Sequence, residues 1–188
     1  MASELSHAIV ALAIGHASRS SVMNWRALLV GIVCSIVPDV DVIGFRYGIQ
    51  YGDAWGHRGL THSLLFAGLL SAVLVAGWYR WKPTMAMVGM FLYLFLCTAS
   101  HGVLDAMTDG GLGVAFFSPF DTSKYFFSVR PIVVSPIGIG EFFSEDAIQV
   151  LVSEAKWIWL PTIAVFVVLR IVQRAWSDTH ATRRSQPD

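Results

Sequence analysis

Residues 84–107, TMAMVGMFLYLFLCTASHGVLDAM, form a run of 24 residues with one charged side chain, Asp105, near its end. A helix with this pattern has no polar face to offer water, so it must be enclosed by protein or by lipid. Four further apolar helical stretches occur, at about 5–17, 25–44, 60–79 and 157–176. A water-soluble bundle of buried helices is the rival reading. Helices nearly free of charge and apolar on all faces favour lipid. Only 14% of the 188 residues are charged, against about 25% in an average soluble domain. The sequence therefore predicts an all-α fold, a polytopic membrane helix bundle of about five transmembrane helices.

The third and fourth stretches are long enough for a hydrocarbon core of about 30 Å at 1.5 Å per residue. The first is short, the second stops being firmly apolar at Pro38, and the fifth contains Pro161 and ends in arginines. Residues 108–155 are rich in Gly, Pro, Phe and Ser, which predicts an ordered aromatic-rich loop with a short helix near 141–154. Residues 1–176 read as one membrane-embedded domain, and the polar segment 177–188 as a disordered tail. The N-terminus has no basic region and carries Glu4, so it does not read as a signal peptide, and insertion is expected to rely on the spans. Thirteen Lys+Arg balance thirteen Asp+Glu, which argues against a nucleic-acid partner. Cys34 and Cys97 lie in apolar runs and read as buried free thiols.

If all five stretches cross, the loops near 39–59 and 105–156 share the N-terminal side. The turns near 18–26 and 80–83 and the C-terminus take the other. The second side collects Arg19, Arg26, Arg80, Lys82, Arg170, Arg174, Arg183 and Arg184, eight cations against five for the first. The positive-inside rule makes it cytoplasmic. The opposite, periplasmic or extracellular side then receives His7 at the start of the first helix and Asp39 and Asp41 at the end of the second. It also receives His57 and His62 at the start of the third, and His101 and Asp105 at the end of the fourth. Random placement would scatter such residues between both faces. His16 lies about 13 Å further along the first helix and His180 lies in the tail, so both are excluded.

Three motifs carry the chemistry. In PDVD, 38–41, an extended chain after Pro38 would point Asp39 and Asp41 the same way as a hard-oxygen pair; solvated carboxylates ending a helix are the alternative. In HRGLTHS, 57–63, Gly59 lets the backbone bend so that His57 and His62 converge, and Thr61 can N-cap the third helix. Arg58 there can meet an anionic substrate group or pair with an Asp. In SHGVLD, 100–105, His101 and Asp105 stand i, i+4 on one helix face, as two ligands or as a ligand and its orienting carboxylate. Glu154 can add a ligand or a general base. Lys124 and Arg130, among the aromatics of SPFDTSKYFFSVRPI, suit an anionic headgroup or simple anchoring at the interface.

At these residues the chain resembles the YdjM-type inner-membrane metal-dependent hydrolases of bacteria. Their pattern runs from a histidine near the N-terminus through PD-x-D, H-R-G-x-T-H-S and S-H-x-x-x-D to a loop with P-F, F-F and R-P-I. Here these are His7, 38–41, 57–63, 100–105, SPF at 118–120 and YFFSVRPIVVSPIG at 125–138. The resemblance spans roughly residues 3–165. It implies a membrane-bound hydrolase whose site includes His7, Asp39, Asp41, His57, His62, His101 and Asp105.

The reading that follows is hydrolysis assisted by one to three divalent ions, zinc being suggested by the imidazoles. Asp39 or Asp41 would bridge ions or act as base, and Arg58 or Arg130 would stabilise negative charge. A site at the membrane surface suits a lipid or other amphiphilic phosphoester, so membrane lipid is expected both as environment and as substrate. A lipid amidase or intramembrane protease is the other enzyme reading, and the protease signature H-E-x-x-H is absent. A metal or ion transporter, or a metal-binding regulatory membrane protein, is the reading from another class. The charge asymmetry generates a direct test: alkaline phosphatase fused after Asp188 should be inactive and a fluorescent protein fused there bright. The reverse pair of results would invert the topology.

Overall fold

The structure, a computed structural model, describes residues 1–18, 23–79, 85–136 and 147–184, the last seven by backbone alone. Arg19, Arg80, Lys82 and Asp188, the side chains of Arg183 and Arg184, and residues 141–146 of the expected short helix lie outside what is described. The order is α1 (Glu4–Ala17), α2 (Trp25–Ile36), a 3-10 segment (Val37–Tyr47), a 3-10 turn (Leu60–His62), α3 (Leu64–Tyr79) and α4 (Met85–Ala106). After the aromatic loop come α5 (Ala147–Glu154), a π-helical turn (Ala155–Trp159) and α6 (Leu160–Arg184). Ser3 caps α1 by accepting from Ser6 N, and Asn24 caps α2 by accepting from the amides of Arg26 and Ala27, satisfying end donors.

The fold is an all-α bundle with α4 at its centre, packed against α1, α2 and α3. Its core joins Ala11, Ala27, Cys34, Val75, Met90, Tyr93, Leu94 and Cys97, and both cysteines are free and buried. Three helical stretches, Trp25–Tyr47, Met85–Ala106 and Ala147–Ser177, are long and apolar enough to cross a membrane. α6 is the plainest case. Leu160, Ile163, Val165, Val168, Leu169, Ile171 and Val172 are exposed, and an apolar surface this continuous along one helix belongs in lipid.

Four expectations change. α3 begins at Leu64, not 60, because residues 57–63 are used in a bend. Its 16 residues give about 24 Å, less than a full hydrocarbon core. Pro38 does not extend the chain: it sits at the start of the 3-10 segment, where its missing N–H costs no bond. Gly48, at φ 82°, closes that segment in the left-handed conformation. The expected helices near 141–154 and 157–176 are one continuous helix over their described parts. Pro161 cannot donate to the carbonyl four residues back, and the π turn just before it accommodates the break. Finally, α6 extends into the polar segment 177–188 as far as Arg184, the last described residue, with no Gly or Pro to interrupt residues 177–184.

Glycines set how closely the helices approach. A Cβ on Gly31 would stand 2.0 Å from the Tyr93 hydroxyl oxygen, whereas one on Gly68 would meet nothing within 4 Å. Gly31→Ala should therefore cost about 1–3 kcal/mol through overpacking. Gly68→Ala should be neutral or stabilising by up to about 1 kcal/mol. Thermal unfolding in detergent checks the contrast, and equal midpoints for the two variants would refute this packing.

Candidate metal centre

The ends of four segments meet where α1 begins, α2 gives way to the 3-10 segment, α3 is about to start and α4 ends. Asp39, His62, His101 and Asp105 each turn one ligand atom inward, all within 4.8 Å of one another. His62 Nε2 and His101 Nε2 are 3.1 Å apart. Asp39 Oδ1 lies 3.5 Å from the first and 3.3 Å from the second. Asp105 Oδ2 is 3.7 and 3.9 Å from the same nitrogens. Donors about 2.1 Å from a tetrahedral ion are about 3.4 Å from each other, so the spacing fits a small divalent cation.

The hydrogen bonds fix which nitrogen faces the centre. His101 Nδ1 is 2.7 Å from the Ser35 carbonyl oxygen. It must therefore carry the proton, and Nε2 presents a lone pair. His62 Nδ1 faces Asp41 Oδ2 at 3.2 Å and Thr61 Oγ1 at 3.1 Å, so its Nε2 is likewise the lone-pair side. Two lone pairs 3.1 Å apart repel unless a metal ion or a proton lies between them. This is the arrangement by which a carboxylate or carbonyl behind a histidine orients it toward a metal. Both Asp39 oxygens are buried without a hydrogen-bond partner, as are Asp105 Oδ2, His57 Nε2 and both nitrogens of His7. Asp39, Asp41 and Asp105 outnumber the one guanidinium, Arg58, so the rest of their charge falls to the amino terminus, a proton on His62 or a bound cation. Left without any of these, it is expensive in a buried site. The residues present fit a metal ion.

Asp41 stands apart from Asp39. Adjacent turns of a 3-10 helix separate i and i+2 by about 120° rather than aligning them. The carboxylate of Asp41 is spent on His57 Nδ1 at 2.8 Å, Thr61 Oγ1 at 2.7 Å and the Arg58 amide at 3.2 Å, besides His62. Thr61 thus steadies Asp41 instead of capping α3, and Ser63 takes over by accepting from Phe66 N. The sharp bend runs through Arg58, whose φ is +63°, and Gly59, at φ −90° and ψ −130°. Gly59 is needed for space: a Cβ there would fall 2.3 Å from the Ala54 carbonyl oxygen. Asp41, His57 and His62 form a second group of metal-ligating type.

Arg58 is fully buried. Its Nε is 3.0 Å from Asp105 Oδ2 as an ion pair, and its two terminal nitrogens donate to Gly110 O and Thr108 Oγ1 at 3.0 Å. Of the two roles expected for it, the structure uses the Asp partner. His7 packs flat on His101, ring centroids 3.8 Å apart, with Nε2 3.9 Å from Asp105 Oδ1. It reaches the cluster's edge without joining the four.

Glu154 does not reach the cluster. Its carboxylate accepts from Ser3 N, Ser3 Oγ and Ser6 Oγ, and Trp159 Nε1 donates to Ser6 Oγ at 2.8 Å. It therefore ties the start of α1 to the π turn, where negative charge also suits the helix dipole. Lys124 Nζ donates to the carbonyl oxygens of Tyr51 and His57 at 2.7 and 2.8 Å. Burial lowers its pKa. Arg130 is exposed, its guanidinium 4.5 Å from the centre of the Phe126 ring. Sequence reasoning missed the Ser35 carbonyl and Thr108; a backbone oxygen leaves no mark in the residue type.

Burial disfavours a charged His62, but the nearby carboxylates of Asp39 and Asp41 outweigh this and raise its pKa to about 9. A proton on Nε2 thus stands in for the cation when metal is absent. Its stabilising contribution is complete below pH 6.5 and is lost as pH rises through about 9. Metal uptake at pH 7 should release about one proton, with affinity rising up to about pH 9. Calorimetry in buffers of different ionisation enthalpy reads this, and uptake without proton release would contradict the assignment. Asp41→Asn should weaken metal binding about 10–100-fold, as for other groups orienting a ligand histidine, while Glu154→Gln should leave metal content unchanged.

The sequence matches the YdjM inner membrane protein family over residues 1–177. It is 35% identical over 169 residues to the inner membrane protein YbcI of Escherichia coli (strain K12), covering 90% of this chain and 97% of that protein. No solved structure matches it. The chain belongs to the YdjM inner membrane protein family.

Proposed function

We propose that this member of the YdjM inner membrane protein family is a metal-dependent hydrolase acting on a lipid or other amphiphilic phosphoester at the periplasmic face. The observation that carries the reading is the pair of imidazole lone pairs, 3.1 Å apart, closed by Asp39 and backed by Asp41 and the Ser35 carbonyl. Two imidazoles with carboxylates suit zinc. The Asp41 group is committed to orienting the histidines, which favours one ion over several.

A closed set of four protein donors would suit a purely structural ion, whereas catalytic sites keep one position open. Asp105 is the donor that can yield. It stands farthest from the imidazoles, at 3.7 and 3.9 Å, and Arg58 and the Ala2 amide hold it at 3.0 and 2.7 Å. When bound, a divalent cation supplies Lewis acidity and brings water deprotonation near neutral pH. The chain's own residues supply the rest. Asp41 and Ser35 hold the imidazoles in one tautomer. His7 stacks on the His101 ring, 3.8 Å between centroids, and keeps that imidazole in place. Arg58 neutralises Asp105 and acts by positioning, and the exposed Arg130 is the cation free to meet an anionic headgroup.

A transporter would place its ligands near the bilayer midplane on broken helices. Here His62 precedes α3 and His101 and Asp105 occupy the end of α4, while Asp39 lies in the 3-10 continuation of the Trp25–Tyr47 stretch. That placement supports catalysis over transport. Purified protein in mixed lipid micelles should cleave a lipid phosphoester in a chelator-sensitive way. Asp39→Asn should reduce turnover about a thousandfold. His7→Gln should weaken metal binding about 10–100-fold, as for other groups orienting a ligand histidine. Turnover that survives complete metal removal, or metal flux into vesicles without turnover, would overturn the reading.

A further inference from the structure

Leu64 at the start of α3, Val103 on α4 and the rings of Phe116, Phe117, Phe126 and Phe127 line an apolar groove of about 350 Å³. The volume falls in the range of small-ligand sites, about 300–1,000 Å³. The groove lies one residue's thickness from the metal centre. Val103 is two residues beyond His101 on the outward side of α4. Between them Gly102 is pressed so closely that a Cβ would stand 3.1 Å from the His62 carbonyl oxygen and 3.2 Å from the Phe116 ring. Phe116 O accepts from Leu64 N at 3.0 Å, which joins the groove's loop wall to the start of α3.

Two features say what would fill it. Phe117, Phe120, Phe127 and Val129 are exposed around the loop, at the end of the spanning helices where acyl chains meet headgroups. Arg130 holds an exposed guanidinium over Phe126, itself a wall of the groove, and makes no ion pair among the described residues. An apolar slot with an uncompensated cation on its rim complements a molecule with a hydrocarbon tail and a phosphate.

We propose that this groove binds one acyl chain of a glycerophospholipid with an anionic headgroup, whose phosphate meets Arg130. As a substrate site this rests on the hydrolase reading. Occupancy itself requires no turnover, so the two can fail separately.

The test uses the full chain, chelated so that no turnover occurs, reconstituted in phosphatidylcholine vesicles containing a minor share of phosphatidylglycerol. Lipid retained on gentle detergent extraction is read by mass spectrometry of the intact protein. The expected result is one retained lipid, enriched in phosphatidylglycerol. Val103→Trp, which fills the groove, should lower retention about tenfold, equal to about 1.4 kcal/mol or the burial of about two methylenes. Arg130→Gln should keep retention and abolish the enrichment. Phe127→Trp is a second groove-filling change should Val103→Trp lose the capacity to reload metal, which reads folding. Unchanged retention in a groove-filled variant that still loads metal would overturn the site. So would an equal loss from Val73→Trp on the far face of α3, which would mean surrounding bilayer lipid only.

Discussion

Carboxylates placed among apolar helices must be neutralised by something, and the fold of this protein is arranged around that demand. Asp39, Asp41 and Asp105 are held at the junction of four chain segments, with side chains almost wholly removed from solvent. Unpaired, each would carry a desolvation penalty large enough to prevent the segments from meeting. Arg58 takes one of these charges, and the oriented histidines offer the others a place for a cation.

The two buried ionic devices divide the labour. Arg58 is committed to Asp105 on one side and to the 108–110 loop on the other, so it fastens the aromatic loop to the end of α4. Glu154 works at the other edge. It holds the first turn of α1 through Ser3 and Ser6, and that turn presents His7 to His101. Neither group touches the ligand nitrogens: Arg58 fixes Asp105 at the cluster, and Glu154 fixes only the start of α1. The π turn beside Glu154 lets one helix both anchor α1 and continue into lipid despite Pro161.

Much of this is legible in the sequence. Four stretches of sequence ending in His and Asp at corresponding helix ends imply that those ends share a face, and His7, Asp39, His62, His101 and Asp105 do converge. The division between Asp39 and Asp41 was not legible. In an extended chain both would face the ion, and in the 3-10 segment one faces it while the other stands behind His62. Whether a proline begins a helical turn or an extended stretch depends on what the following residues bond to, and here Asp41 bonds to a bend 16 residues on. Glu154 misled for a similar reason. Its position at a helix end is visible in the sequence, but its partners, 148 and 151 residues away, are not.

The sequence alone determined that the chain is a membrane helix bundle, because charge-free apolar helices have few places to go other than lipid. It also determined which residue types gather at one end of that bundle, because helix periodicity and crossing order dictate which ends are neighbours. Tertiary structure decided the roles within the cluster: which carboxylate faces inward, which nitrogen of each imidazole is free, and which cation is already paired. Those roles depend on distances of a few ångströms between residues far apart in the chain, and hydrogen bonds to backbone carbonyls such as that of Ser35 have no signature in residue identity.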